Sequence, residues 1–265
     1  MTHPPGAGAW LALLLPATAA ALYLAGWGVL RRRRTAWPRT RLLAAAGGLT
    51  VAAAALSPPL VAGTGEFPWH VAQHLALVML APLLLACSAP VTLALRTLPR
   101  RPRRGLLRVL HSAPLRVLTA PAVVVPLELG SLAALYLTPL SGLLHASPLA
   151  HVLVHEHMVL TGCLVSWLLI GADPMPRRLS TPARAAVLVL LSAGHGVLAK
   201  LLYAHPPAGL GAADEVRAGA ELLYYGGDAI ELVLAVAVMA EWYRRTGRRL
   251  RAEQRRALSA PVPTR

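Results

Sequence analysis

Seven predominantly apolar runs, each long enough to cross the hydrocarbon core of a bilayer as a helix of about 20 residues, are spaced along this 265-residue chain. They cover residues 10–30, 42–61, 70–95, 117–139, 149–171, 184–204 and 218–242. A chain that spends this much of its length on such runs folds as an all-α polytopic membrane protein, a bundle of seven transmembrane helices. Pro121 and Pro126 are expected to bend the fourth span, because bilayer helices tolerate proline where neighbours satisfy the freed carbonyls. Composition agrees: 56% of the residues are hydrophobic and 14% charged, against about 25% charged in soluble domains. No internal repeat is visible, and the connecting loops are short. The chain reads as one membrane domain over residues 1–243 with a basic tail over 244–265.

The formal net charge of +15 would point to nucleic acid in a soluble protein. Here the arginines sit in blocks between apolar runs, which is how membrane topology is written. Arg31, Arg32, Arg33, Arg34, Arg39 and Arg41 fill the first-to-second loop and its helix ends. The third-to-fourth loop holds Arg96, Arg100, Arg101, Arg103, Arg104, Arg108 and Arg116, and the fifth-to-sixth holds Arg177, Arg178 and Arg184. With the tail, these account for every basic residue except Lys200 and Arg217. That side is predicted to be cytoplasmic, so the N-terminus lies outside and the C-terminus inside. The expected partner of the charge is the lipid bilayer, not nucleic acid. The first run precedes its arginines, the reverse of a signal peptide's charge order, and reads as a retained helix. Cys87 and Cys163 fall within apolar runs and read as packing thiols.

The topology gives a depth to each polar side chain. Of the ten histidines only His111 falls on the cytoplasmic side. His70 and His74 open the third span from outside; His151 and His155 open the fifth; His195 lies in the outer half of the sixth. Each pair is spaced i, i+4, about 40° apart on one helix face. Met158 and Gly162 continue the His151/His155 face, and Gly162 is expected to admit a close helix approach. Met79 is expected to point away from the His70/His74 face, as lipid or core packing. Paired imidazoles suit copper, zinc or iron, and a thioether shifts preference toward Cu(I). The predicted metal ligands are therefore His70, His74, His151, His155, Met158 and His195. Two histidines can equally hold a b-type haem, and histidines at a helix end can simply meet lipid headgroups.

The seventh span carries Glu221, Asp228 and Glu231 around a Tyr-Tyr-Gly-Gly stretch. Carboxylates within a span normally face the bundle interior, paired or hydrated. Lys200 and His195 are the expected partners, giving a possible polar cluster of Lys200, Glu221, Asp228 and Glu231. Glu128, in the fourth span, has no partner legible in the sequence.

Residues 69–90 carry His-x3-His followed by two Ala-Pro pairs; residues 145–174 carry the histidine-bearing helix, a tryptophan and Gly-x-Asp-Pro; residues 226–242 begin with Gly-Gly. In these stretches the chain resembles the CtaG-like cytochrome c oxidase assembly factors, seven-span proteins of bacterial membranes associated with caa-type oxidases. The last span departs from the family's Asp-Gln-x-x-Gly-Gly by keeping the glycines and placing its acids differently. The resemblance implies a multi-pass protein of the bacterial inner membrane that works with cytochrome c oxidase subunits. Joined to the outer histidines, it implies help in copper delivery or insertion. With no nucleophile–base triad and no phosphate loop in the sequence, the chain does not read as an enzyme. A copper transporter and a haem-b redox protein are the alternative readings.

Overall fold

The computed structural model describes residues 13–57, 66–138, 140, 148–176 and 178–259. Every regular element among them is helical. α1 (Leu14–Arg32) packs on α2 (Arg39–Ala55), which also packs against the third apolar run. The third apolar run is α3 (Phe67–His74), a π-helical segment (Leu75–Leu80) and α4 (Ala81–Ser88). Ala89 adopts a left-handed conformation, φ 54° and ψ 57°, and Pro90 starts a new helix. The helix thus breaks at Ala89, inside the run expected to end at 95.

The arginine-rich third-to-fourth connection is three short helices: α5 (Pro90–Thr97), α6 (Arg100–Leu110) and α7 (Ala113–Leu118). α6 presents Arg100, Arg101, Arg103, Arg104 and Arg108 to the exterior and buries Leu110, the two-faced pattern of a helix lying in a membrane interface. The fourth run begins at Pro121, whose missing N–H costs nothing in a first turn, and continues as α8 (Pro121–Leu137). α9 (Pro148–Ile170), α10 (Thr181–Ala204) and α11 (Ala213–Ser259) complete the chain. α11 does not stop at Trp242. Its arginines are good helix formers, Glu241 pairs with Arg244 at 3.4 Å and Arg245 at 2.5 Å, and the helix carries the basic tail to Ser259.

Among the described residues four helices are long and apolar enough to cross a membrane: Leu14–Arg32, Phe67–Thr97, Thr181–Ala204 and Ala213–Arg255. Pro121–Leu137 and Glu156–Ile170 are apolar and shorter. α10 and α11 make the most extensive pairing; α9 packs on the π segment and α4, and α3 packs on α11. One core gathers Phe67, Val71, Tyr136, Leu198 and Leu223 near α3. A second gathers Leu83, Val124, Val165, Leu169 and Leu234 toward the arginine-rich end.

That end is closed by hydrogen bonds between distant stretches. Asp173, fully buried, accepts from the Val91 N–H at 3.1 Å, the Thr92 N–H at 2.6 Å, the Thr92 hydroxyl at 2.5 Å and the Trp167 indole at 3.1 Å. It supplies α5 with the N-terminal cap that Ala89 cannot, satisfying amides that have no carbonyl of their own. Nearby, the Tyr23 hydroxyl lies 3.0 Å from the Ser88 carbonyl and accepts from the Trp37 indole at 3.1 Å. Gly171 has φ +58°, and a Cβ there would meet the Arg184 guanidinium at 2.7 Å. Arg184 donates to the Leu169 carbonyl. The Ala-Pro turn and the Gly-x-Asp-Pro stretch therefore form one structure.

Candidate functional site

The π segment sets the geometry at the opposite, histidine-bearing end. A π turn holds one residue more than an α turn and rotates everything beyond it. Its close neighbour is Gly162 of α9, where a Cβ would overlap the Val78 carbonyl. The glycine anticipated as a contact point thus receives backbone from α3's own span.

His74, the last residue before the π segment, is 6% exposed, as is His195 of α10. Their ring centroids are 6.4 Å apart. His70, one turn toward the helix start, is half-buried. Tyr136 of α8 stands edge-on to both, at 5.9 Å from His70 and 6.1 Å from His74. Phe67 closes its far side at 5.5 Å. His70, His74, Leu77, Val78 and Met158 enclose a void of about 10 Å³, close to the least that admits one water. The structure thus brings together His70, His74 and Met158, with His195 behind His74. The side chains of His151 and His155 lie outside the described residues.

A larger cavity of about 50 Å³ lies inward, faced by His74, His195, Glu128, Glu231, Ser166 and Met79 among apolar residues. His195 Nδ1 is 3.4 Å from Glu231 Oε1. The other ring nitrogen, Nε2, has no hydrogen-bond partner among the described residues, nor does Glu128 Oε2. The Thr161 hydroxyl and the His195 ring are Glu128's polar neighbours. Met79 faces this cavity, contrary to the expectation from a 3.6-residue period, because the π segment intervenes between it and His74. His195 fits only because α11 has glycine opposite: a Cβ on Gly227 would sit 2.6 Å from Nδ1, and one on Gly226 would sit 2.7 Å from Leu75.

The expected cluster of last-span acids is divided. Glu231 is 8% exposed and points inward, whereas Glu221 and Asp228 are on the exposed side of α11. Lys200 is exposed and lies over the Tyr224 ring at 5.3 Å; it makes no ion pair among the described residues. Cys87 and Cys163 are free thiols, partly buried. Among the described residues, no three His, Cys, Asp or Glu side chains stand grouped as a ready metal site. Gly227 and Glu128 were the contributors sequence reasoning underrated. A double glycine inside a helix, costing about 1 kcal/mol per residue against alanine, was the available signal.

A family model described as cytochrome c oxidase caa3 assembly factor matches residues 21–245. The chain belongs to this caa3 assembly factor family. The match takes in all the residues that face the two cavities. An uncharacterized protein of Mycobacterium bovis is 36% identical over 181 residues, covering 65% of this chain and 27% of its own length. One from Mycobacterium leprae is 31% identical over 268 residues, covering 92% of this chain and 41% of its own length. The chain thus spans less than half of either relative. No solved structure matches. The apolar, membrane-length helices accord with membership of the caa3 assembly factors.

Proposed function

We propose that this protein assists assembly of a haem–copper cytochrome c oxidase by holding copper as cargo at the histidine-bearing end of its bundle. The observation that carries the reading is the approach of His74 to His195. A metal bound at an imidazole nitrogen lies about 2 Å from that atom, hence roughly 3 Å from the ring centroid. Two rings with centroids 6.4 Å apart are therefore spaced for one ion between them. His70 and Met158 flank His74 around the smaller void; a thioether beside imidazoles suits Cu(I). His151 and His155, on the same helix as Met158, complete the proposed ligand set. A cavity of about 50 Å³ has room for a few waters and none for a porphyrin, which weighs against haem.

In this reading the chain crosses the bacterial inner membrane seven times, N-terminus outside, with the arginine-rich end and the tail cytoplasmic. Trp69 at the start of α3 and Trp242 and Tyr243 on α11 are exposed, as expected of aromatic residues at the two interfaces. The protein acts as a carrier and not as an enzyme, delivering copper to oxidase subunits from the outer side.

The test is a deletion strain complemented with wild type, His74→Ala or His155→Ala, read for protein in the membrane, copper bound by the purified protein and oxidase activity. Both variants are expected to accumulate, to bind copper at least tenfold more weakly and to leave the oxidase inactive with its haem intact. Normal copper and oxidase values for both variants would remove copper from the reading. A Soret band in the purified protein, or copper uptake by sealed vesicles, would transfer it to haem chemistry or transport.

A further inference from the structure

The inner cavity has a chemistry of its own. Its polar contributions come from four elements: His74 from α3, Glu128 from α8, His195 from α10 and Glu231 from α11; α9 adds only the Ser166 hydroxyl at the wall and Thr161 beside Glu128. The remaining wall is aliphatic or thioether. Two of these cavity-lining residues carry buried atoms without a hydrogen-bond partner among the described residues, His195 Nε2 and Glu128 Oε2. Buried polar atoms are nearly always satisfied, so a pair on residues lining one small void points to something that satisfies both.

Glu231 fixes which nitrogen is offered. Its carboxylate lies beside His195 Nδ1. A carboxylate oxygen 3.4 Å away favours the proton on Nδ1, and with the proton there the Nε2 lone pair is free for a ligand. This is the carboxylate–histidine arrangement that orients imidazole ligands on metals. Glu128 offers an oxygen from the neighbouring helix, and His74 stands between the two voids, lining both.

We infer that the cavity between Glu128, His195 and Glu231 is a second cation station, sharing His74 and His195 with the copper site proposed above, that takes a divalent first-row transition-metal ion. Imidazole nitrogen with carboxylate oxygen is the donor set for such ions, whereas the outer thioether favours a monovalent soft one. The carboxylates of Glu128 and Glu231 supply the two negative charges of a dication, so the filled site is neutral inside the apolar bundle. His195 and Glu128 are ligands, Glu231 is the positioning residue, and the two imidazoles, His74 and His195, serve either station, so one is filled at a time. The inner station stands on this cavity alone; its link to copper cargo rests on the function proposed above.

The experiment titrates the full-length protein in detergent with Zn²⁺, a redox-inert probe, and separately with Cu⁺ under reducing conditions. Wild type is expected to bind one tightly held Zn²⁺ whose absorption edge shows imidazole nitrogen and carboxylate oxygen and no sulfur. Glu128→Gln should weaken zinc at least tenfold and lose the carboxylate ligand. Glu231→Gln should weaken it 10- to 100-fold while the ligand atoms at zinc stay the same, which loss of fold would not produce. His70→Asn should leave zinc affinity unchanged and weaken Cu⁺. No tight zinc in wild type, sulfur at the zinc edge, or unchanged affinity in Glu128→Gln would overturn the inner station. Tight zinc with these variant effects but no Cu⁺ binding would leave the inner station standing and remove the copper-cargo reading instead.

Discussion

The backbone of Val78 rests directly on Gly162, so the π segment of the third span and the fifth span touch without a side chain between them. Elsewhere an exposed helix glycine is a small liability, and alanine would gain about 1 kcal/mol. At Gly162 the methyl group meets a carbonyl that no rotamer change can move. Overpacking of this kind costs about 1–3 kcal/mol and outweighs the propensity gain. Gly162→Ala should lower the midpoint of thermal unfolding in detergent, whereas Gly130→Ala, with open space around its Cβ position, should leave it level or raise it.

Gly227→Ala tests the same principle against a ligand. The added methyl takes the place of the His195 ring, which must turn away from Glu231 and the inner cavity. Zinc affinity should fall at least tenfold. Gly226→Ala meets only the end of Leu75, a flexible contact, and should cost stability with less effect on metal.

Asp173→Ala strands four donors, two of them backbone amides, at a fully buried point. Each unsatisfied buried group costs about 1–3 kcal/mol, so a loss of about 3 kcal/mol or more is expected. Trp167→Phe removes a single bond and should cost about 1 kcal/mol. Unfolding midpoints and protein yield in the membrane check both.

Asp228→Asn and Lys200→Met should each accumulate in the membrane like wild type. Neither group has an ion-pair partner among the described residues, and a cation over an exposed ring contributes about 0.5–1 kcal/mol. A marked fall in level for Asp228→Asn, restored by adding Lys200→Met, would show the two charges paired in the membrane.

Orientation follows from the arginines and is checked by reporter fusions. A periplasm-active reporter should be silent after Arg265 and active when placed within residues 58–65. The reverse pattern would place the histidine-bearing end in the cytoplasm.

The division between what the sequence disclosed and what it did not has physical causes. The i, i+4 spacing of His70 and His74 was legible because both precede the π segment and share one α-helical turn. Met79 packs on the core as expected, but its sharing a cavity with His74 was not legible, because an extra residue per turn leaves no mark in hydropathy. Glu221 and Asp228 do share a face, but a helical wheel cannot say which face turns inward. The glycines opposite His195 decide that, and they bring in Glu231. The connection 96–116 was read as a loop because arginines mask the helical period of its apolar residues, Leu107 and Leu110 among them. Asp173 was seen as part of a motif, but its partners lie 81 and 82 residues away, beyond any local pattern.

That separation bears on how the protein is made. Spans enter the membrane in the order of synthesis, so the corner at Ala89–Pro90 leaves the ribosome long before its cap exists. Until Asp173 emerges, the amides of Val91 and Thr92 depend on water, and α5 begins uncapped. The corner at Ala89–Pro90 therefore acquires its final hydrogen bonds only when the half bearing Asp173 has been made. A nascent chain stalled before residue 173 should stay open to protease at this corner, and one stalled after α10 has cleared the membrane should not.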